Sequence, residues 1–238
     1  MAIGGERGAI SLIALAGNII TFLISIYVMA WGINPVLITL IAGVIINSIT
    51  LYYQNKKNDK TKAAFLSVVI TTVVLLFVML PIFLQMHLNG LDEIELSGDL
   101  SIYYSFAIKI NMELVFLCVV LICFLGAIMD TAMAVASGMY EIKANNPEIS
   151  EIELFHSGIT IGKDIINTTM NTLFFAYCGE ALFMFLYFRK YQYKMMTIMN
   201  SKALLLNLAA IVTSGIGCIA IIPLCAKICA KLIKSTGK

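Results

Sequence analysis

The chain has 238 residues, 60% of them hydrophobic and 13% charged, with a formal net charge of +2 and a mean hydropathy of +0.93. A soluble domain carries about 25% charged residues, so an ordinary water-soluble fold is excluded and most of the chain belongs in lipid. Lys and Arg fall in short clusters between apolar runs, as loop anchors do, and give no continuous basic face for nucleic acid.

Six apolar runs approach or exceed the ~20 residues that cross a bilayer as a helix. They cover 9–30, 35–53, 63–85, 114–140, 165–188 and 203–226. Lipid offers the backbone no hydrogen-bond partners, so each run must be helical. The predicted fold is therefore an all-α membrane bundle of six spans in a single domain. The first run is longer than the ~7–15 residues of a signal-peptide core and is read as a retained span.

Basic residues set the expected orientation. NKKNDKTK, after the second run, holds four lysines, whereas HLNGLDEIELSGDLS, after the third, is acidic. The first loop is expected inside, the second outside, and both termini in the cytoplasm. The basic tail KICAKLIKSTGK agrees; FRKYQYK at 188–194 does not, although its aromatic residues suit an interfacial belt. Between the fourth and fifth runs, Asn146 reads as an N-cap with Pro147 at the first helical position. A short amphipathic helix on the inner membrane surface is expected there, ending in a turn at Gly158 and Gly162.

Polar residues inside apolar runs are the functional candidates. Asp130 lies within the fourth run, where a charge at the centre of an isolated helix costs ~2.5–3.5 kcal/mol on insertion scales. It is expected to face the bundle interior and either exchange a proton or act as a structural carboxylate. Asp164, Asn167, Thr168, Asn171 and Thr172 share one stretch of the fifth run. They either bond that helix to the fourth for ~1 kcal/mol each or line a polar path with Asp130. Glu180 is the second acid inside an apolar run. Gly126, Gly158, Gly162 and Gly179 are expected packing points. Asn18, Asn47, Asn207, Thr213 and Ser214 read as helix-packing residues.

The cysteines, at 118, 123, 178, 218, 225 and 229, form neither a secreted disulfide framework nor a zinc pattern. Cys225 and Cys229, at i,i+4 spacing, read as small packing residues, with a soft-metal pair as the alternative. No metal site and no cofactor is expected. HExxH, GxSxG and P-loop motifs are missing, and the chain is not expected to be an enzyme.

GAIMDTAMAVASGMYEI at 126–142 and SGITIGKDIINTTMNTLFFAYCGEAL at 157–182, with the Asn-Pro between them, resemble the YibE/F family of bacterial integral membrane proteins. The compact six-span form is similar to the family's members that lack a large extracytoplasmic domain. The resemblance implies a YibE-like membrane partner, and a homo-oligomer is the other expected association. A more distant resemblance, carried by Gly126, Asp130, Glu141, Thr168, Asn171, Thr172 and Leu173, is to SecD/SecF and the wider RND superfamily. It implies that Asp130 is a proton-coupling acid. The expected function is thus a subunit of a proton-coupled transporter or membrane machine in the bacterial cytoplasmic membrane. The alternative is a non-transporting assembly or accessory subunit.

Overall fold

A backbone that enters lipid must close its own i to i−4 hydrogen bonds, and the apolar runs do so. The computed structural model describes residues 5–53, 57–86 and 111–233. The acidic loop that supported the orientation lies outside them. Among the described residues seven α-helices follow in order: α1 Gly5–Met29, α2 Pro35–Ser48, α3 Asp59–Met86, α4 Met112–Asn145, α5 Glu151–Lys190, α6 Met195–Met199 and α7 Lys202–Leu232. Six are long and apolar enough to cross a membrane; α6 is a five-residue turn of helix between the last two. No strand occurs among the described residues.

Local chemistry sets most of the boundaries. The Asn34 side chain accepts from Val36 N at 3.0 Å, and Pro35 takes the first helical position of α2, where its missing N–H costs nothing. The last turn of the second span is π-helical, Ile49–Tyr53. It carries Thr50, whose hydroxyl accepts from the Asn18 amide of α1 at 3.0 Å. Pro81 and Pro223 lie inside α3 and α7 without ending either helix. Gln192, at φ +52°, closes α5: its N–H reaches Arg189 O at 3.3 Å, and Tyr193 N reaches Phe188 O at 3.0 Å. That pairing is a Schellman ending, with Gln at the place usually taken by Gly.

The expected surface helix starting at Asn146 is not formed. Asn146 and Pro147 make the turn between α4 and α5, closed by Ile149 N to Asn146 O at 3.2 Å and by the Lys143 amine to Ile149 O at 2.9 Å. The N-cap is Ser150. Its Oγ accepts from Glu153 N at 3.3 Å, while the Glu153 carboxylate accepts from Ser150 N at 3.1 Å. This reciprocal capping box starts a single 40-residue helix that runs on through Gly158 and Gly162 without a turn.

Packing explains those two glycines instead. A methyl built on Gly158 would stand 2.5 Å from Met139 Sδ and 2.9 Å from Ala226 Cβ, and one on Gly162 would overlap Ile222 Cγ2. The pair forms a small-xxx-small seam of the kind that lets membrane helices approach closely. Here α5 meets α4 through Met139 and α7 through Ala226 and Ile222. Gly138 of α4 adds to the seam, 2.8 Å from Ile161 Cδ1 by the same test. Gly126 and Gly179, expected to pack likewise, face open space: an added Cβ meets no atom within 4 Å. Both lie on exposed faces, which corrects that expectation.

α4 is the centre of the bundle and packs against α2, α3, α5 and α7. Its large residues Leu117, Leu121, Phe124, Ile128, Val135 and Met139 are fully buried. They meet Val68 and Leu75 of α3 and Cys218, Ile221 and Cys225 of α7 in one core. α1 is peripheral and packs chiefly on α2 and its π-helical turn.

Alanine at Gly126, Gly179 and Gly162 should separate these roles. Gly126→Ala and Gly179→Ala should leave thermal stability in detergent unchanged or raise it by up to ~1 kcal/mol, the helix gain of Ala over Gly. Gly162→Ala should lower it by roughly 1–2 kcal/mol, because overpacking costs ~1–3 kcal/mol. Ile222→Ala in the same chain should restore part of that loss. Equal behaviour of all three single variants would contradict the seam.

Candidate functional site

Asp130 is near the middle of α4, and its side chain is exposed. The expectation that it faces the bundle interior is corrected. Helical spacing gives the reason. Two residues along a helix are about 200° apart; Ile128 and Ala132, each two residues from Asp130, are fully buried, which leaves Asp130 on the opposite, exposed flank. The acid makes no hydrogen bond or ion pair with another described residue. Its neighbours on the same face are small: Cys123, Gly126, Ala127, Ala134 and Ser137 are all half-buried or exposed.

Two contacts bracket it along α4. The Cys123 thiol lies beside the Tyr177 hydroxyl and near the charge of Glu180, and Gly138 lies against Ile161. α5 therefore runs along the stretch of α4 that carries Asp130, while Asp130 itself is on the open flank.

Asp164, Asn167, Thr168, Asn171 and Thr172 are also exposed. The buried face of α5 is Gly158, Gly162, Tyr177, Ala181, Met184 and Phe188, and Asp164 is two residues, hence about 200°, from Gly162. The polar stretch is turned away from the packed seam. Its hydroxyls are held locally, Thr168 Oγ1 donating to Ile165 O at 2.8 Å and Thr172 Oγ1 to Thr168 O at 2.9 Å. Asn167 and Asn171 do not bond α5 to α4, which corrects the reading of this stretch as the link between the two helices. Glu180 is exposed as well.

The polar contacts that do join helices rest on Asn47, Ser214 and Cys225, which read from the sequence as packing residues, and on Tyr177, Thr131 and Cys218, which it does not single out. Tyr177 and Ser214 share a buried hydrogen bond of 3.0 Å between α5 and α7. Thr131, the residue after Asp130, lies 3.7 Å from Cys218 Sγ and also donates to Ala127 O at 2.9 Å. Cys225 donates to Ala132 O at 3.4 Å, and its sulfur is 3.8 Å from that of Cys229. Both of these cysteines are fully buried and act as packing residues. Asn47 donates to Phe65 O at 3.4 Å and joins α2 to α3. Ser214 and Cys218, one turn apart on α7, mark its polar seam; this i,i+4 pairing of small polar residues was the available signal.

The arrangement defines a polytopic helical membrane protein with an apolar core, helix seams closed by small and weakly polar residues, and the strongly polar groups of α4 and α5 exposed. The profile of the YibE/F-like protein family matches residues 1–235, and the chain belongs to that family. No curated protein and no solved structure matches it.

Stability should follow the inner contacts and not the outer face. Tyr177→Phe should cost the purified chain ~0.6–1.5 kcal/mol, the range for a membrane interhelical hydrogen bond. Asn171→Ala and Thr172→Val should stay within about 0.5 kcal/mol of wild type, as surface changes do. Denaturant titration in mixed micelles distinguishes the two classes.

Proposed function

We propose that this protein is a subunit of a proton-coupled transporter or membrane machine of the bacterial cytoplasmic membrane, with both termini in the cytoplasm. Its open polar face is completed by another membrane protein, either a YibE-like partner or a second copy. The observation that supports the reading is a carboxylate exposed near the middle of a spanning helix with no hydrogen-bond or ion-pair partner among the described residues. Left against hydrocarbon, that group costs ~2.5–3.5 kcal/mol or more. A second membrane polypeptide bearing hydrogen-bond donors removes the cost.

In the assembled state Asp130 takes up and releases the proton. Asp164, Asn167, Thr168, Asn171, Thr172 and Glu180 supply the polar lining from α5. The small residues around Asp130 allow the neighbour's backbone to come close. A carboxylate whose partner lies across an interface is suited to coupling, because any change in its charge alters the strength of the contact. Catalysis of a covalent reaction is not part of this proposal.

The alternative, a docking subunit that transports nothing, draws on the local hydrogen bonds of Thr168 and Thr172. Those bonds leave the hydroxyls as fixed surface, with their protons committed to the backbone. Asp130→Asn separates the two readings because it keeps size and hydrogen bonding but removes the charge change. The coupled reading predicts that the variant accumulates and assembles like wild type while proton flux in proteoliposomes of the complex falls at least tenfold. Loss of assembly together with flux would favour docking alone. Wild-type flux would remove Asp130 from the mechanism.

A further inference from the structure

A groove of about 400 Å³ runs between α1 and α4, with α2 as its floor. The floor residues Thr39, Ala42, Gly43 and Ile46 follow i, i+3, i+4, i+7 spacing, and three of the four are small, so α2 recedes between its neighbours. Gly43 brings α2 close to α4: a Cβ there would be 3.0 Å from Leu125 Cδ1. One wall is the Phe22–Met29 stretch of α1, and the other runs from Val115 to Met129 of α4. The α4 wall is roughly 21 Å long at ~1.5 Å per residue, somewhat more than the ~15 Å depth of one leaflet's hydrocarbon.

We propose that this groove binds a single acyl chain of a membrane phospholipid. The lining carries no charged side chain. Ser25 donates to Thr21 O at 2.7 Å; Thr39 Oγ1 has no hydrogen-bond partner among the described residues, but at 3% exposure in the floor it offers an occupant almost no polar surface. The occupant is therefore hydrocarbon along its length, with its headgroup outside the groove. A transmembrane helix is too thick: at ~10 Å across it would fill roughly 1,700 Å³ over this length, more than the 1030 Å³ between the walls even when the open side is counted. A hydrocarbon chain, its width set by carbon contacts of ~3.5–4.0 Å, fits between the walls and touches protein on three sides. Chains against the exposed face of α5 touch it on one. The groove ends at Gly126 and Met129, one turn or less from Asp130, but the binding does not depend on any proton coupling there.

The test uses the full chain in phosphatidylethanolamine and phosphatidylglycerol liposomes, doped with a phosphatidylglycerol whose acyl chain carries a diazirine. After irradiation, adducts are mapped by mass spectrometry. Adducts at groove residues such as Val119 and Ile122 should exceed those at the outward-facing Phe175 and Phe183 at least fivefold. Gly126 has open space beside it, so Gly126→Phe fills the groove without displacing a neighbour and should remove that excess. Gly179→Phe, the same change on an open face of α5, should retain it, as should Asp130→Asn. If Gly126→Phe does not accumulate, Gly126→Leu carries the same expectation. Equal labelling of groove and outer face, or an excess that persists in the filled variant, would overturn the proposal. So would a polypeptide cross-linked in the groove of the complex in place of lipid.

Discussion

Hydrocarbon tolerates an ionisable side chain poorly, and this constraint falls most heavily on Asp130. Burial within the chain would have satisfied it. The chain instead gives the inner positions of α4 to Leu117, Leu121, Phe124, Ile128 and Met139 and turns the acid outward. The bundle is thereby closed and apolar at its centre and carries an exposed acid on one flank. The amides, hydroxyls and acids of α5 are exposed as well. In water such residues would be an ordinary solvated surface; along membrane-spanning helices they are the groups that the proposed neighbour covers.

What holds the closed part together is close approach, reinforced by a few buried polar contacts. The Gly158 and Gly162 seam lets α5 lie against Met139, Ala226 and Ile222, and Tyr177 and Ser214 fix the same pair of helices farther along. Lipid gives helices no hydrophobic drive to associate, so small residues that bring backbones together do much of that work. A continuous 40-residue α5 follows from this seam: its first turns pack on the ends of α4 and α7, and its apolar length goes on to cross the membrane.

The spans were legible in the sequence because length and hydropathy alone decide them. The start of α5 was legible too, in Ser150-Glu151-Ile152-Glu153, but Asn146-Pro147 offered a competing signal. Proline suits a turn as well as a helix start, and only Glu153 reaching back to Ser150 settles which one applies. The facing of Asp130 was harder to read. An intramembrane acid usually turns toward the bundle, whereas the 200° offset from Ile128 turns this one away. The offset between Gly162 and Asp164 carried the same information for α5, since a glycine seam and a polar stretch two residues apart cannot both face inward. Gly126 and Gly179 misled because a glycine in a membrane helix marks close packing only where a second helix is present.

The central claim is that another membrane polypeptide covers the Asp130 face. A photoreactive amino acid at Ser137, on that face two turns along α4, tests it in native membranes. The account predicts a protein adduct of one defined mass, identified by mass spectrometry as a YibE-like membrane protein or as a second copy of this chain. The same probe at Phe77, exposed on α3, should give lipid adducts. Lipid adducts alone at Ser137, at the level seen from Phe77, would show the acid facing bare hydrocarbon and contradict the account.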